Sequence, residues 1–146
     1  MVIEYKLSPW PNEYHNRLAR RAEGLSNATG ALKLKGRKAS EDAPIVKILR
    51  EAGAIPLCNT NVPELCTSWE TTNYITGKTV NPYDFSRTPG GSSGGEAALI
   101  SSAASVIGIG SDLAGSIRVP AMFTGIFGHK PSPGRSQTSD YWAMNI

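Results

Sequence analysis

The stretch Thr88 to Gly95, TPGGSSGG, constrains this chain more than any other, because four glycines bracket two adjacent serines. Glycine is placed where φ must be positive or where backbone has to approach another group closely. Small polar residues just ahead of a helix start would present N–H groups and hydroxyls to a bound group. The residues from Glu96 onward favour helix, which argues against a flexible linker. A site built largely from backbone, in front of a helix, is the expectation.

The rest of the chain supplies an α/β setting for that loop. At 146 residues it has room for one core, and 40% hydrophobic with 18% charged residues is a globular composition. Asp42 is a plausible helix cap, Pro44 suits the first turn, and Ile45, Ile48, Leu49 and Ala52 recur at helical spacing up to Gly53. Ala54 to Cys58 reads as a short buried strand, followed by a polar turn at Asn59 to Asn61. Thr71 to Pro89 is long and irregular, as expected of a segment that lines a site. Glu96 to Ala104 reads as a helix of small residues and Ser105 to Gly110 as a Gly-punctuated strand. A second short helix should begin near Ser116 and a last strand near Ile126. The first 22 residues and the tail 136–146 show no pattern.

Charge and cysteines exclude more than they suggest. The formal charge of +3 is spread over the first half, with a cluster at Arg17, Arg20 and Arg21. That is a thin case for an acidic partner, and no nucleic acid is expected. Cys58 and Cys66 form no C-x-x-C pair and have no histidine at ligand spacing, so ordinary thiols and no metal are expected. No stretch reaches the roughly 20 apolar residues of a membrane span, and Met1 to Trp10 does not read as a signal peptide. An intracellular protein is expected, with membrane association of a full-length form left open.

Three chemistries compete for the glycine loop. A phosphate-cradling loop needs lysine after Gly95, where this chain has Glu96, whose charge would repel phosphate. A G-x-S-x-G nucleophile elbow fits Gly90 to Gly94 and Gly91 to Gly95 but should follow a strand, and needs a later Asp and His, with only His129 downstream. The third reading pairs the loop with Gly110 to Arg118, GSDLAGSIR, so that two serine-bearing glycine loops flank one helix and one strand.

Taken in order, GGSSGGEAA, GSDLAGSIRVPA and GIFGHKPSPG resemble the amidase signature. Upstream, GLSNATGALKLKGRKASEDAPIVKILREAGAIPLCNTNVPELC is similar to the corresponding segment of animal fatty-acid amide hydrolases, the type 2 enzymes in particular. The resemblance covers residues 24 to 135, which marks a partial amidase domain between the segments 1–23 and 136–146. It implies a mixed central β-sheet flanked by helices and a serine hydrolase that cleaves carboxylic amides or esters through an acyl-enzyme. It also implies a Ser-cis-Ser-Lys triad without cofactor or metal, acting on a small acyl amide or ester. By position, Ser116 would be the nucleophile and Ser92 the bridging serine in a cis peptide. Leu113, Ala114, Gly115 and Ser116 would form the oxyanion hole, with Ser93, Asp112 and Arg118 in support.

The departures from that pattern carry weight. The family lysine sits in a V-K-[DE] motif, and no V-K-[DE] occurs in this sequence; the corresponding region reads YHNRLARRAEG, with Arg17 nearest the expected place. Arginine, with a pKa above about 12, cannot act as a base near neutrality. The family domain is also much longer, so a truncated piece is expected, and a non-catalytic binding remnant is the rival reading. Family members carry glycine at the position of Ala114, so a misshapen oxyanion loop is a further expectation if that residue needs positive φ. Lys130 is assigned to a structural turn, and His15 and His129 to surface or packing. Trp69 and Tyr74 either pack or line an acyl channel.

Overall fold

The computed structural model describes residues 22–132 and a strand, β1, at Val2–Glu4. After β1 come α1 (Pro44–Glu51), β2 (Thr72–Asn73), β3 (Gly77–Lys78), α2 (Gly94–Ser101), β4 (Gly108–Gly110) and α3 (Arg118–Thr124). Strands β1 and β4 pair in parallel, with Val2 opposite Gly108 and Glu4 opposite Gly110. Strands β2 and β3 form an antiparallel hairpin, Thr72 opposite Lys78. The class is α/β, as the alternation of elements implies. Among the described residues no helix is long and apolar enough to cross a membrane.

Several elements depart from the sequence pattern for physical reasons. Proline does open α1, but Ala43 rather than Asp42 occupies the cap, and Asp42 instead accepts from Glu23 N (2.7 Å) and pairs with Arg50 (2.7 Å). The helix ends at Glu51, with Gly53 in the left-handed region at φ +91°. Ala54 to Cys58 is not a buried strand: it joins no sheet and its Ile55 and Leu57 are exposed. No described strand lies beside it, so an apolar pattern alone does not make a ladder. Helix α2 starts two residues before Glu96, at Gly94, and stops at Ser101, because Ala103 turns to φ +60°. Only Gly108–Gly110 of the expected strand is paired, and no strand forms at Ile126, where α3 has just closed on the left-handed Gly125. The first 22 residues, read as patternless, include β1.

Packing is tight where glycines face polar groups. Ala22, Ala43 and Val46 form a small apolar cluster, with Leu25, Ile45 and Ile109 against it, tying α1 to β4. The Glu96 carboxylate, on the first turn of α2, accepts from Thr60 Oγ1 (2.6 Å) and from Ile109 N (3.2 Å). A side chain at Gly108 would collide with that carboxylate. Gly95 lies against the Asn61 backbone and donates its N–H to Asn61 O (3.2 Å). Asn61 in turn bonds Asn73, Thr76 and Thr79, and Asn73 also donates to Val62 O (2.7 Å), so these two amides tie the hairpin to the segment before it. Gly95→Ala should therefore cost about 1–3 kcal/mol by overpacking against backbone. Urea unfolding followed by circular dichroism measures it, and a variant within about 0.5 kcal/mol of the parent would show that Asn61 moves aside.

Candidate functional site

The glycine loop and the loop that precedes α3 meet at the N-terminal end of α2. Each glycine of the first loop is where a β-carbon would not fit. One at Gly90 (φ +83°) would sit 3.0 Å from Pro120 Cα, and one at Gly91 would sit 2.9 Å from Ser68 O and the Trp69 carbonyl carbon. The peptide bond between Gly91 and Ser92 is cis, and Ser92 and Ser93 are fully buried. Thr71, also fully buried, donates its hydroxyl to Gly90 O (2.8 Å) and accepts from Gly94 N (3.1 Å). One hydroxyl thus spans the loop from one side to the other. In the sequence Thr71 only opens an irregular stretch, since nothing local marks which threonine reaches the loop.

The second loop is organised by Asp112. Its carboxylate is buried and accepts from Gly115 N (2.8 Å) on one oxygen, and from Ile117 N (3.2 Å) and Arg118 N (3.1 Å) on the other. Arg118 adds a bidentate grip, Nε to Oδ2 and Nη2 to Oδ1, both 2.8 Å. Burial alone would raise the Asp112 carboxyl, but the Arg118 side chain and the N–H groups of Arg118, Gly115 and Ile117 outweigh it. Together they hold the group well below the usual carboxylate range. The same bonds and the opposite charge raise the guanidinium of Arg118. Gly115 takes φ +111°, a conformation strained for any side-chain-bearing residue. Ala114 stays out of the positive-φ region, so its methyl group does not strain the loop.

Ser116 emerges from this loop almost wholly buried. Its carbonyl is gripped twice by Ser93, through the hydroxyl and through N–H (3.2 Å). Its own Oγ has no hydrogen-bond partner, and neither has the buried Oγ of Ser111. The Ser116 hydroxyl makes no hydrogen bond to Ser92 here. The family resemblance implies an oxyanion hole of four N–H groups. Gly115 N–H is committed to Asp112, whereas those of Leu113, Ala114 and Ser116 find no backbone acceptor among the described residues.

The remaining candidates separate clearly. The Trp69 indole nitrogen lies about 4.0 Å from where a Gly115 β-carbon would point, and the ring is mostly exposed, so Trp69 flanks the loop. Tyr74 is exposed at the β2–β3 turn. Lys130 comes within 3.9 Å of Asp112. Arg17 and His15 lie outside the described residues. Cys58 and Cys66 are not joined in a disulfide, and no cluster of metal-ligating side chains occurs among the described residues.

Two outcomes follow from this geometry. Thr71→Val keeps the shape but leaves Gly90 O and Gly94 N unpaired in the interior, so it should cost about 1–3 kcal/mol. Thermal and urea unfolding would read that loss. For Asp112 the folded pKa is depressed, so its contribution is fully present above the unfolded value of about 3.9 and is lost as pH falls further toward the folded value. Asp112→Asn should lower stability at neutral pH by about 1.5–3 kcal/mol and flatten the decline below about pH 4. Urea midpoints measured from pH 7 to pH 2.5 test the sign.

Residues 21–141 match the Amidase family profile. The chain is 54% identical over 112 residues to fatty-acid amide hydrolase 2-A of Danio rerio, covering 77% of this chain and 21% of that protein. It is 53% identical to fatty-acid amide hydrolase 2 of Homo sapiens over the same shares. Among solved structures, 6-aminohexanoate cyclic dimer hydrolase complexed with substrate superposes with a TM-score of 0.81 at 35% identity, over 86% of this chain and 26% of that one. A bacterial aryl acylamidase of the amidase signature family gives 0.67 at 31% identity, over 85% and 26%. The chain therefore spans about a fifth of the length of these curated relatives. With the two serine loops locked as described and the family profile running through both of them, the chain belongs to the amidase family.

Proposed function

We propose that this chain carries the nucleophile half of an amide-hydrolysing serine site, with Ser116 as nucleophile and Ser92 as proton relay. The observation that carries the reading is the Ser116 hydroxyl, buried without a partner on a loop whose backbone is fixed by Ser93 and Asp112. A buried hydroxyl left unsatisfied in a rigid setting has its lone pairs available for chemistry. In the reaction, Ser116 Oγ bonds to the substrate carbonyl carbon while its proton passes by way of the Ser92 hydroxyl to a base. The oxyanion that forms is held by N–H groups of Leu113, Ala114 and Ser116, each such donor being worth about 3–4 kcal/mol when removed. Gly115 shapes that loop through Asp112. The C–N bond then breaks as the leaving amine takes the proton, and water hydrolyses the Ser116 ester. The names of the relatives support fatty-acid amides as the substrate class.

By the family resemblance, the base is a lysine amine in its neutral form. A lysine would have to fall from about 10.4 to about 7 to be half deprotonated at neutral pH, which a buried setting supplies. Because no V-K-[DE] lysine occurs in the sequence, a second reading is a carbonyl-binding site without turnover. The 146-residue chain should be phosphonylated slowly at Ser116 by a fluorophosphonate probe and should hydrolyse no long-chain fatty amide. Peptide mass spectrometry locates the label. Label on Ser93, or label surviving Ser116→Ala, contradicts the assignment; saturable binding of an acyl amide with no label at all favours the second reading.

A further inference from the structure

We propose that Lys130 is a positioning residue for the Ser116 loop, acting through the buried carboxylate of Asp112; the inference rests on the functional reading of Ser116 given above. Asp112 Oδ2 is saturated by three donors, the N–H groups of Ile117 and Arg118 and Arg118 Nε. Oδ1 takes only two, Gly115 N and Arg118 Nη2. Lys130 Nζ stands 3.9 Å from that less occupied oxygen, with its side chain 30% exposed. Oδ1 is also the atom that holds Gly115, the residue whose φ of +111° delivers Ser116. The lysine is aimed there by packing. A β-carbon on Gly128 would come 2.8 Å from Ala121 Cβ and 3.0 Å from Ile117 Cγ2, so only glycine lets the chain at residue 128 press against Ile117 and Ala121.

Charge gives this contact a consequence beyond packing. Arg118 alone balances Asp112, and most of its side chain faces solvent. Lys130 adds a second cation on the same carboxylate, leaving the local sum positive beside the N–H groups of Leu113, Ala114 and Ser116. A positive field at that place favours charge developing on a bound carbonyl or phosphonyl oxygen. Because Lys130 is partly exposed, salt should screen its effect.

The test compares the whole chain with Lys130→Met and Lys130→Arg in two measurements. The first is the rate of fluorophosphonate labelling at Ser116 at low and high salt. The second is the titration of the Asp112 carboxyl carbon by NMR. Lys130→Met should slow labelling about tenfold, remove most of its salt dependence and move the Asp112 titration upward, while Lys130→Arg should restore all three. Equal labelling of the parent and Lys130→Met, or equal slowing in both variants, overturns the proposal. If Ser116 is not labelled in the parent, the functional reading fails, and the titration still decides the contact: an unmoved Asp112 in Lys130→Met sinks it and an upward shift upholds it.

Discussion

A single buried carboxylate governs the geometry of this chain. Removing an aspartate from water costs several kcal/mol unless its charge is paired and its lone pairs are filled. Asp112 meets that demand with three backbone N–H groups and a bidentate arginine. Satisfying it fixes the backbone at Gly115, Ile117 and Arg118 at once. The turn through Gly115 and the burial of Ser116 are consequences of that fixation, and α3 departs in the direction it leaves open.

The two serine loops are then joined by hydroxyls and amides. Ser93 holds the carbonyl of Ser116, Thr71 closes the glycine loop across Gly90 and Gly94, and Asn61 bonds both Gly95 and the hairpin. Fully buried positions here are threonine, serine and aspartate as often as aliphatic residues. Such a polar interior is stable only when nearly every group is paired, which makes the unpaired Ser116 and Ser111 hydroxyls stand out. Small side chains are what permit it, since each close approach in these loops occurs at a glycine.

These contacts connect the segments around residues 60 to 118, which explains how a chain matching about a quarter of a solved relative keeps that relative's local shape. The apolar side chains of Ile55, Leu57, Val106 and Phe127, by contrast, are largely exposed. They contribute little to holding the site, whose rigidity comes from polar pairing near the loops rather than from a large apolar core.

The sequence alone determined the class, the position of α1 and α2 to within a few residues, and the glycine-serine loops, because proline, glycine and helical periodicity act locally. Its family resemblance also named Asp112 and Arg118 as supports of the nucleophile loop, without saying that they pair with each other. Tertiary structure decided the rest. Ala54 to Cys58 has a strand's composition but no neighbour to pair with, while Val2–Glu4 forms a strand because β4 lies alongside. That Thr71 rather than another threonine closes the loop, and that Lys130 reaches the Asp112 carboxylate, are long-range facts. Each depends on where the chain returns in space, which no local pattern encodes.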